Sequence, residues 1–348
     1  MNITRFHNQE KLNVTIEFLT PTFLGGADQQ GELRSPPFKN LLRQWWRIVN
    51  GKLSAKELCV KEGELFGTVL GDTESSASKV RIAVVSGAGI SVSSQSFKLG
   101  RTNHPEVGGG KPVENSLYLG YGPVKSAKPD PIPKQYIVSG SSATLQVYYP
   151  RSHSDEILKA LQYIDAFGTI GSRSRNGYGS LSLSHQSLSR LNPALIETVP
   201  LTGLMNGNKD YPNRFARDTD LLLWESGLQN NWESAMTLLA GTYLKTRTSI
   251  NITGNSKELH ERHALGYPVT NHAVANWGGG NGRMPSQLRL MVKQNGDGRL
   301  VARILHLPHK LPHDKPWPAT LPAPLHVWQQ VHRFLDTQNQ FHRLGGGA

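Results

Sequence analysis

In "LNVTIEFLTP" (12–21) the apolar residues Leu12, Val14, Ile16 and Phe18 alternate with polar ones, the period of a strand with one buried face. The spacing becomes helical in "SPPFKNLLRQWWRIVNG". Phe38, Leu41, Leu42, Trp45, Trp46 and Val49 line one side, Ser35 is the expected N-cap, Pro36 suits the first turn and Gly51 stops the helix. A second helix is predicted through "SAKELCVKEGELFG", strands in "SKVRIAVV" (78–85) and "ATLQVYY" (143–149), a capped amphipathic helix in "SDEILKALQYIDAFG" and a strand in "YGSLSLSH". That order, strand–helix–strand–strand–helix–strand, is the ferredoxin-like βαββαβ unit. After residue 190 it partly repeats. "IETVPLTGLM" reads as a strand, "NNWESAMTLLAGTYLKTR" as a helix, "SQLRLMVKQNGDGRLVARILHL" as a hairpin turning at Asn295–Gly298, and "PLHVWQQVHRFLDTQNQF" as a closing helix. The expected class is α+β: two tandem ferredoxin-like (RRM-like) domains, 1–190 and 191–348, the second decorated and incomplete.

Residues 86–141, between the two middle strands, form an insertion rich in Gly, Ser, Pro and Lys, too long for an ordinary connection. Arg101, His104, Lys111, Lys125, Lys128 and Lys134 make it basic, so a projecting arm is expected. The whole chain shares this bias: Lys and Arg outnumber Asp and Glu by 38 to 26 in 348 residues, a net charge of +12. No acid falls between Glu74 and Glu106, Asp165 and Glu197, or Glu261 and Asp297. A basic face of this kind attracts polyanions, nucleic acid foremost. The single cysteine, Cys59, excludes an internal disulfide and suits a reducing compartment. The N-terminal residues lack a signal-peptide core and no apolar run reaches the ~20 residues of a membrane span. A cytoplasmic protein without a membrane partner is expected.

Two stretches carry candidate chemistry. "GTIGSRSRNGYGSL" (168–181) combines Gly168, Gly171, Gly177 and Gly179 with Arg173, Arg175 and Tyr178. Glycines let a backbone approach a ligand and turn successive N–H groups into an anion-binding concavity. Arg173 and Arg175 would then hold phosphates and Tyr178 would stack on a base. A plain connector with solvated arginines is the competing reading. On the first helix Lys39, Arg43 and Arg47 recur every fourth residue, a ladder able to follow a phosphate backbone with Arg34 beside its start. Trp45 and Trp46 point about 100° apart, so one is expected in the core and the other at an edge open to a base or a partner.

With strand, basic helix and glycine-rich loop assembled, the chain resembles the RAMP superfamily of CRISPR effector subunits, and within it the first-numbered subunit of the Cmr (type III-B) module. The likeness rests on "LTPTFLGGAD", "LRSPPFKNLLRQWWR", "FGTVLGDTESSASKVRI" and "GTIGSRSRNGYGSL". In the second half "ERHALGYP" (261–268) and "RMPSQLRL" (283–290) look like its second-domain motifs, and Arg283 enters the site by that route. The resemblance implies two ferredoxin-like domains and no catalytic role. It also implies binding of guide RNA and target RNA near the guide 3′ end, beside other RAMP subunits, in antiviral defence. The RNA-contacting set is then Arg34, Lys39, Arg43, Arg47, Gly171, Arg173, Arg175, Asn176, Gly177, Tyr178 and Arg283.

Enzyme readings have thinner support. His260, His263 and His272, and the string His306, His309 and His313, lack a cysteine partner, so neither a metal site nor a cofactor is expected. A RAMP endoribonuclease acting on precursor or target RNA is the alternative function. It would need a general base near the glycine loop. His185 is closest in sequence, although the guide-processing class carries its signature loop near the C-terminus. Asp28 is the nearest counterpart of the acid used by the target-cleaving subunit.

Overall fold

Strand β1 (Gln9–Phe18) buries Leu12, Val14, Ile16 and Phe18 and turns its polar positions outward, as its alternation requires. A computed structural model describes residues 8–26, 28, 30–70, 74–85, 89–128, 130–206, 214–250, 257–270, 272–311 and 315–345. Helices α1 (Ser35–Val49) and α2 (Ala55–Phe66) follow, then strand β2 (Arg81–Val85). Ser54 caps α2 through a reciprocal box with Glu57. In α1 the N-cap is Arg34 rather than Ser35, and no side chain caps it. The insertion carries a short helix, α3 (Asn115–Gly120), and leads to strand β3 (Ser142–Pro150), helix α4 (Ser154–Phe167) and strand β4 (Leu181–Ser184). The sheet order is β4–β1–β3–β2, every neighbour antiparallel, with Glu17 opposite Ser142 and Tyr148 opposite Arg81.

The second half builds a sheet of the same order. Strand β5 (Leu223–Gln229), helix α5 (Trp232–Thr248), strands β6 (Leu288–Gln294) and β7 (Leu300–His306), helix α6 (Pro324–Asp336) and strand β8 (Phe341–Arg343) give β6–β7–β5–β8, again antiparallel. Two expectations need correction here. The first strand lies at 223–229. The segment expected to supply it holds only a two-residue strand, Val199–Pro200, before a helix, Leu201–Asn206. The sheet also has a fourth strand, β8, too short to show a period in sequence. A bulge between Glu225 and Leu228 breaks the alternation of β5, and the Ser226 hydroxyl fills the gap by accepting from the Ala302 N–H at 2.9 Å.

The insertion is no projecting arm. Leu99, Leu119 and Val124 are buried in one apolar cluster with Trp224, Leu239 and Trp328 of the second half. The Thr237 hydroxyl on α5 donates to the Leu99 carbonyl, and Arg262, itself buried, forms a two-pronged ion pair with Glu106. Apolar anchors scattered irregularly among many small polar residues leave no period to read. Residues 86–88 and 129 of the insertion lie outside the described residues.

Both tryptophans of α1 are buried, which corrects the expectation of one at an exposed edge. Trp45 stacks on Phe167 and Phe215 with the Arg289 guanidinium over its ring, and the Trp46 indole donates to Glu156 at 2.8 Å. Edge strands β4 and β6 meet at the seam between halves. There the Lys293 amine donates to the carbonyls of Ile164, Gly168 and Leu181 at 2.6–3.1 Å, and Arg303 donates to the Ala166 carbonyl and to Glu225. Two cations thus sit at the carbonyl-rich end of α4, where the helix dipole favours them. Burial pushes the Lys293 amine down to about 7, against the pull of Asp165.

Candidate nucleic-acid interface

The glycine-rich loop is packed from beneath. Gly171, Gly177 and Gly179 all have φ between 68° and 92°. A Cβ on Gly177 would stand 2.6 Å from the Met236 sulfur, and one on Gly171 would stand 2.6 Å from the Phe23 carbonyl oxygen. These glycines serve close packing against α5 and the 20–24 segment, not an open anion cradle. The loop also joins the edge of the second sheet. The Leu290 N–H donates to the Arg175 carbonyl at 2.8 Å, and the Val292 N–H donates to the Ser180 hydroxyl at 2.9 Å.

Tyr178 corrects the base-stacking expectation. Its ring is fully buried against Phe23 and its hydroxyl donates to the Ser116 carbonyl, so no base can reach it. Desolvation drives that phenol's pKa far upward. Asn176 donates to the Leu119 carbonyl at 2.7 Å and Arg173 Nε to the Tyr121 carbonyl at 2.7 Å. Three loop side chains therefore grip α3, Tyr178 near its start and Asn176 and Arg173 at its end. Arg175 is half-buried, donates to the Ser286 carbonyl, and has its pKa lowered by burial.

Above this packed floor opens a groove of about 1440 Å³. One wall is the insertion, from Val113 to Gln135; the floor is 172–176; the far wall comes from α5 and residues 262–286. Six cations line it, Lys134, Arg173, Arg175, Arg247, Arg262 and Arg283, against one carboxylate, Glu114. The far wall is fixed by paired backbone bonds between Tyr267 and Met284 at 2.8 and 2.9 Å, which bring the "ERHALGYP" and "RMPSQLRL" stretches together. Arg283 stands exposed on that wall, Arg173 exposed on the floor.

The α1 ladder is elsewhere. None of Arg34, Lys39, Arg43 and Arg47 lines the groove. Arg43 and Arg47 both donate to Glu62 of α2, at 2.5–2.7 Å. Burial raises the Glu62 carboxyl, but the hydrogen bonds from Arg47 and Arg43 outweigh it and hold it below the usual carboxylate range. Lys39 is half-buried and lowered by desolvation and by Arg43; Arg34 is exposed. Neither Asp28, exposed in its loop, nor His185, whose Nδ1 accepts from the Ser187 N–H, lines the groove.

The histidines are held by protein groups. His263 Nδ1 meets the His260 backbone and its Nε2 lies 3.2 Å from the His272 carbonyl. His306 meets His332 at 2.8 Å, and His332 meets Asp218 at 2.8 Å. His313 lies outside the described residues. Among the described residues no three His, Cys, Asp or Glu side chains gather as a metal-binding group, and no helix is long and apolar enough to cross a membrane. Sequence reasoning missed Tyr121, Arg247 and Arg262 on the groove; only the "ERHALGYP" stretch pointed toward the last.

Residues 15–182 match the family model of the RAMP superfamily. The whole fold is similar to the crystal structure of Cmr1 from Pyrococcus furiosus in its apo form. That match has a TM-score of 0.53 at 16% identity and covers 97% of this chain and 100% of that one. Two chains from cryo-EM structures of the type III-B Cmr-beta assembly are also similar. One, bound to cognate target RNA and AMPPnP in the presence of ssDNA, has a TM-score of 0.49 at 13% identity and covers 93% of this chain and 98% of its own. The other, bound to cognate target RNA, has a TM-score of 0.48 at 12% identity and covers 93% and 100%. No curated protein sequence matches significantly.

Proposed function

We propose that this chain is a non-catalytic, cytoplasmic RNA-binding subunit of a type III-B CRISPR effector complex. It holds guide and target RNA near the guide 3′ end, beside other RAMP subunits, in antiviral defence. The observation that carries the reading is the groove between the halves, with six cations on its walls against Glu114 and the Glu106 that pairs with Arg262. RNA phosphates are the polyanion such a lining suits, and phosphate contacts hold RNA without reading its sequence. The RAMP match and the likeness to Cmr1 support the assembly assignment. In the same reading the two sheets of like order are tandem ferredoxin-like domains divided near residue 190, and the α1 ladder contacts RNA only where Glu62 leaves its arginines reach.

The test is RNA binding by an Arg173→Ala/Arg283→Ala variant across a salt series. The parent should bind two unrelated single strands alike, with affinity falling steeply as salt rises. The variant should bind both more weakly, its log–log salt slope shallower by about 0.7 for each phosphate it no longer neutralises. Unchanged affinity and slope would refute the groove assignment. RNA incubated with the parent, with Mg²⁺, Mn²⁺ or chelator, should stay intact; specific cuts that disappear in Asp28→Ala or His185→Ala would instead establish the endoribonuclease.

A further inference from the structure

Tyr121 stands at the lip of the groove with 69% of its surface exposed, the only aromatic side chain so exposed among the described residues. Neither its ring nor its hydroxyl has a partner among them. Its backbone, by contrast, is fixed. Tyr121 is the C-cap of α3, and the residue after it, Gly122, turns the chain with φ of 110°. Arg173 holds the Tyr121 carbonyl, Asn176 the Leu119 carbonyl and Tyr178 the Ser116 carbonyl, so three side chains of one loop clamp the segment that presents this ring. An exposed tyrosine on a rigid mount loses little freedom on binding, since only two side-chain torsions remain to be ordered.

The surroundings choose the ligand. Arg173 lies directly behind the ring's backbone and Lys134 lies on the same groove. A flat π surface on a cation-lined groove suits a nucleobase with its phosphates, since every base offers a stacking face and its backbone needs positive charge nearby. A base held in a duplex stack has no free face to offer.

We propose that Tyr121 is a stacking platform for one unpaired base of the RNA in the groove, and that the clamp by Arg173, Asn176 and Tyr178 exists to hold it there. This rests on the groove being the RNA site. The role assigned to the loop therefore changes: its aromatic is a fastener, and the aromatic that meets RNA belongs to the insertion.

The experiment compares full-length parent, Tyr121→Ala, Tyr121→Phe and the Arg173→Ala/Arg283→Ala variant. Each is titrated by fluorescence anisotropy with a single-stranded RNA and a blunt duplex RNA of equal length. Folding of Tyr121→Ala is checked by thermal melting, which an exposed site should hardly move. Tyr121→Ala should weaken single-strand binding about 5- to 150-fold, the range for one stacked base. Tyr121→Phe should bind like the parent, and duplex binding should be alike in both. A 2-aminopurine strand should be quenched by the parent and by Tyr121→Phe but not by Tyr121→Ala. If Tyr121→Ala keeps single-strand affinity while the double-arginine variant loses it, the groove holds RNA and the platform is wrong. If both keep it, the groove reading itself fails. Equal losses on both RNAs, or a Tyr121→Phe loss as large as alanine's, would overturn stacking in favour of a wall-shaping or hydroxyl role.

Discussion

Replacing Gly177 by alanine should destabilise the protein by about 2–5 kcal/mol, from two sources. A φ of 92° costs an L-residue about 1–2 kcal/mol. The new methyl would stand 2.6 Å from the Met236 sulfur and 3.2 Å from its terminal methyl, with Leu239 3.6 Å away limiting retreat. Overpacking of this kind costs about 1–3 kcal/mol. Against a total stability of ~5–15 kcal/mol the loss should be plain in a urea titration followed by tryptophan fluorescence. Gly109→Ala supplies the control, because Gly109 has φ of 76° and nothing within 4 Å, leaving only the dihedral cost. Met236→Ala alone leaves a cavity, so its coupling to Gly177→Ala should appear as a double-mutant loss smaller than the sum of the two single losses, by about 0.5–3 kcal/mol. If Gly177→Ala costs no more than Gly109→Ala, or the Gly177→Ala and Met236→Ala losses simply add, the loop is not a close-packed seam.

Acid should weaken the α1–α2 contact. The Glu62 carboxyl is held below its ordinary range, so its contribution is complete above that range and drains away as pH falls through it and below. Glu62→Gln should therefore flatten the dependence of urea midpoints between about pH 5 and 2. Lys293→Met should loosen the join between halves and split one calorimetric transition into two; a single unchanged transition would count against the seam described for Lys293. Tyr178→Phe should cost about 0.5–1.5 kcal/mol by removing the buried hydrogen bond to the Ser116 carbonyl. It should leave the RNA affinity of the folded protein close to the parent's, and a selective loss of RNA binding would restore Tyr178 as an RNA-touching residue.

Most elements were legible because their apolar spacing is regular. The alternation of β1 and β3, the stripe of α1 and the Asn-Gly-Asp-Gly turn each encode a local solution, and the structure follows them. β5 and β8 were not legible, the one because its bulge breaks the period, the other because three residues carry none. The loop at 168–181 was found but misassigned in part. Glycine, arginine and tyrosine in close order suit an anion cradle and a tight seam equally well. Met236 and Leu239, which settle the matter for Gly177, lie some sixty residues away. The groove was out of reach for the same reason, since its walls draw on stretches from 23 to 286 whose proximity only folding creates.

The insertion's anchoring has a consequence for synthesis. Leu119 leaves the ribosome about 120 residues before Leu239, the buried partner beside which it comes to rest. At roughly 5–20 residues per second that interval lasts on the order of 6–24 s. During it the first sheet can close, since β1 to β4 end by Ser184, but Leu99, Leu119 and Val124 still lack their second-half partners, Trp224, Leu239 and Trp328. The nascent chain must carry a finished sheet and a sticky apolar flap together until α5 emerges.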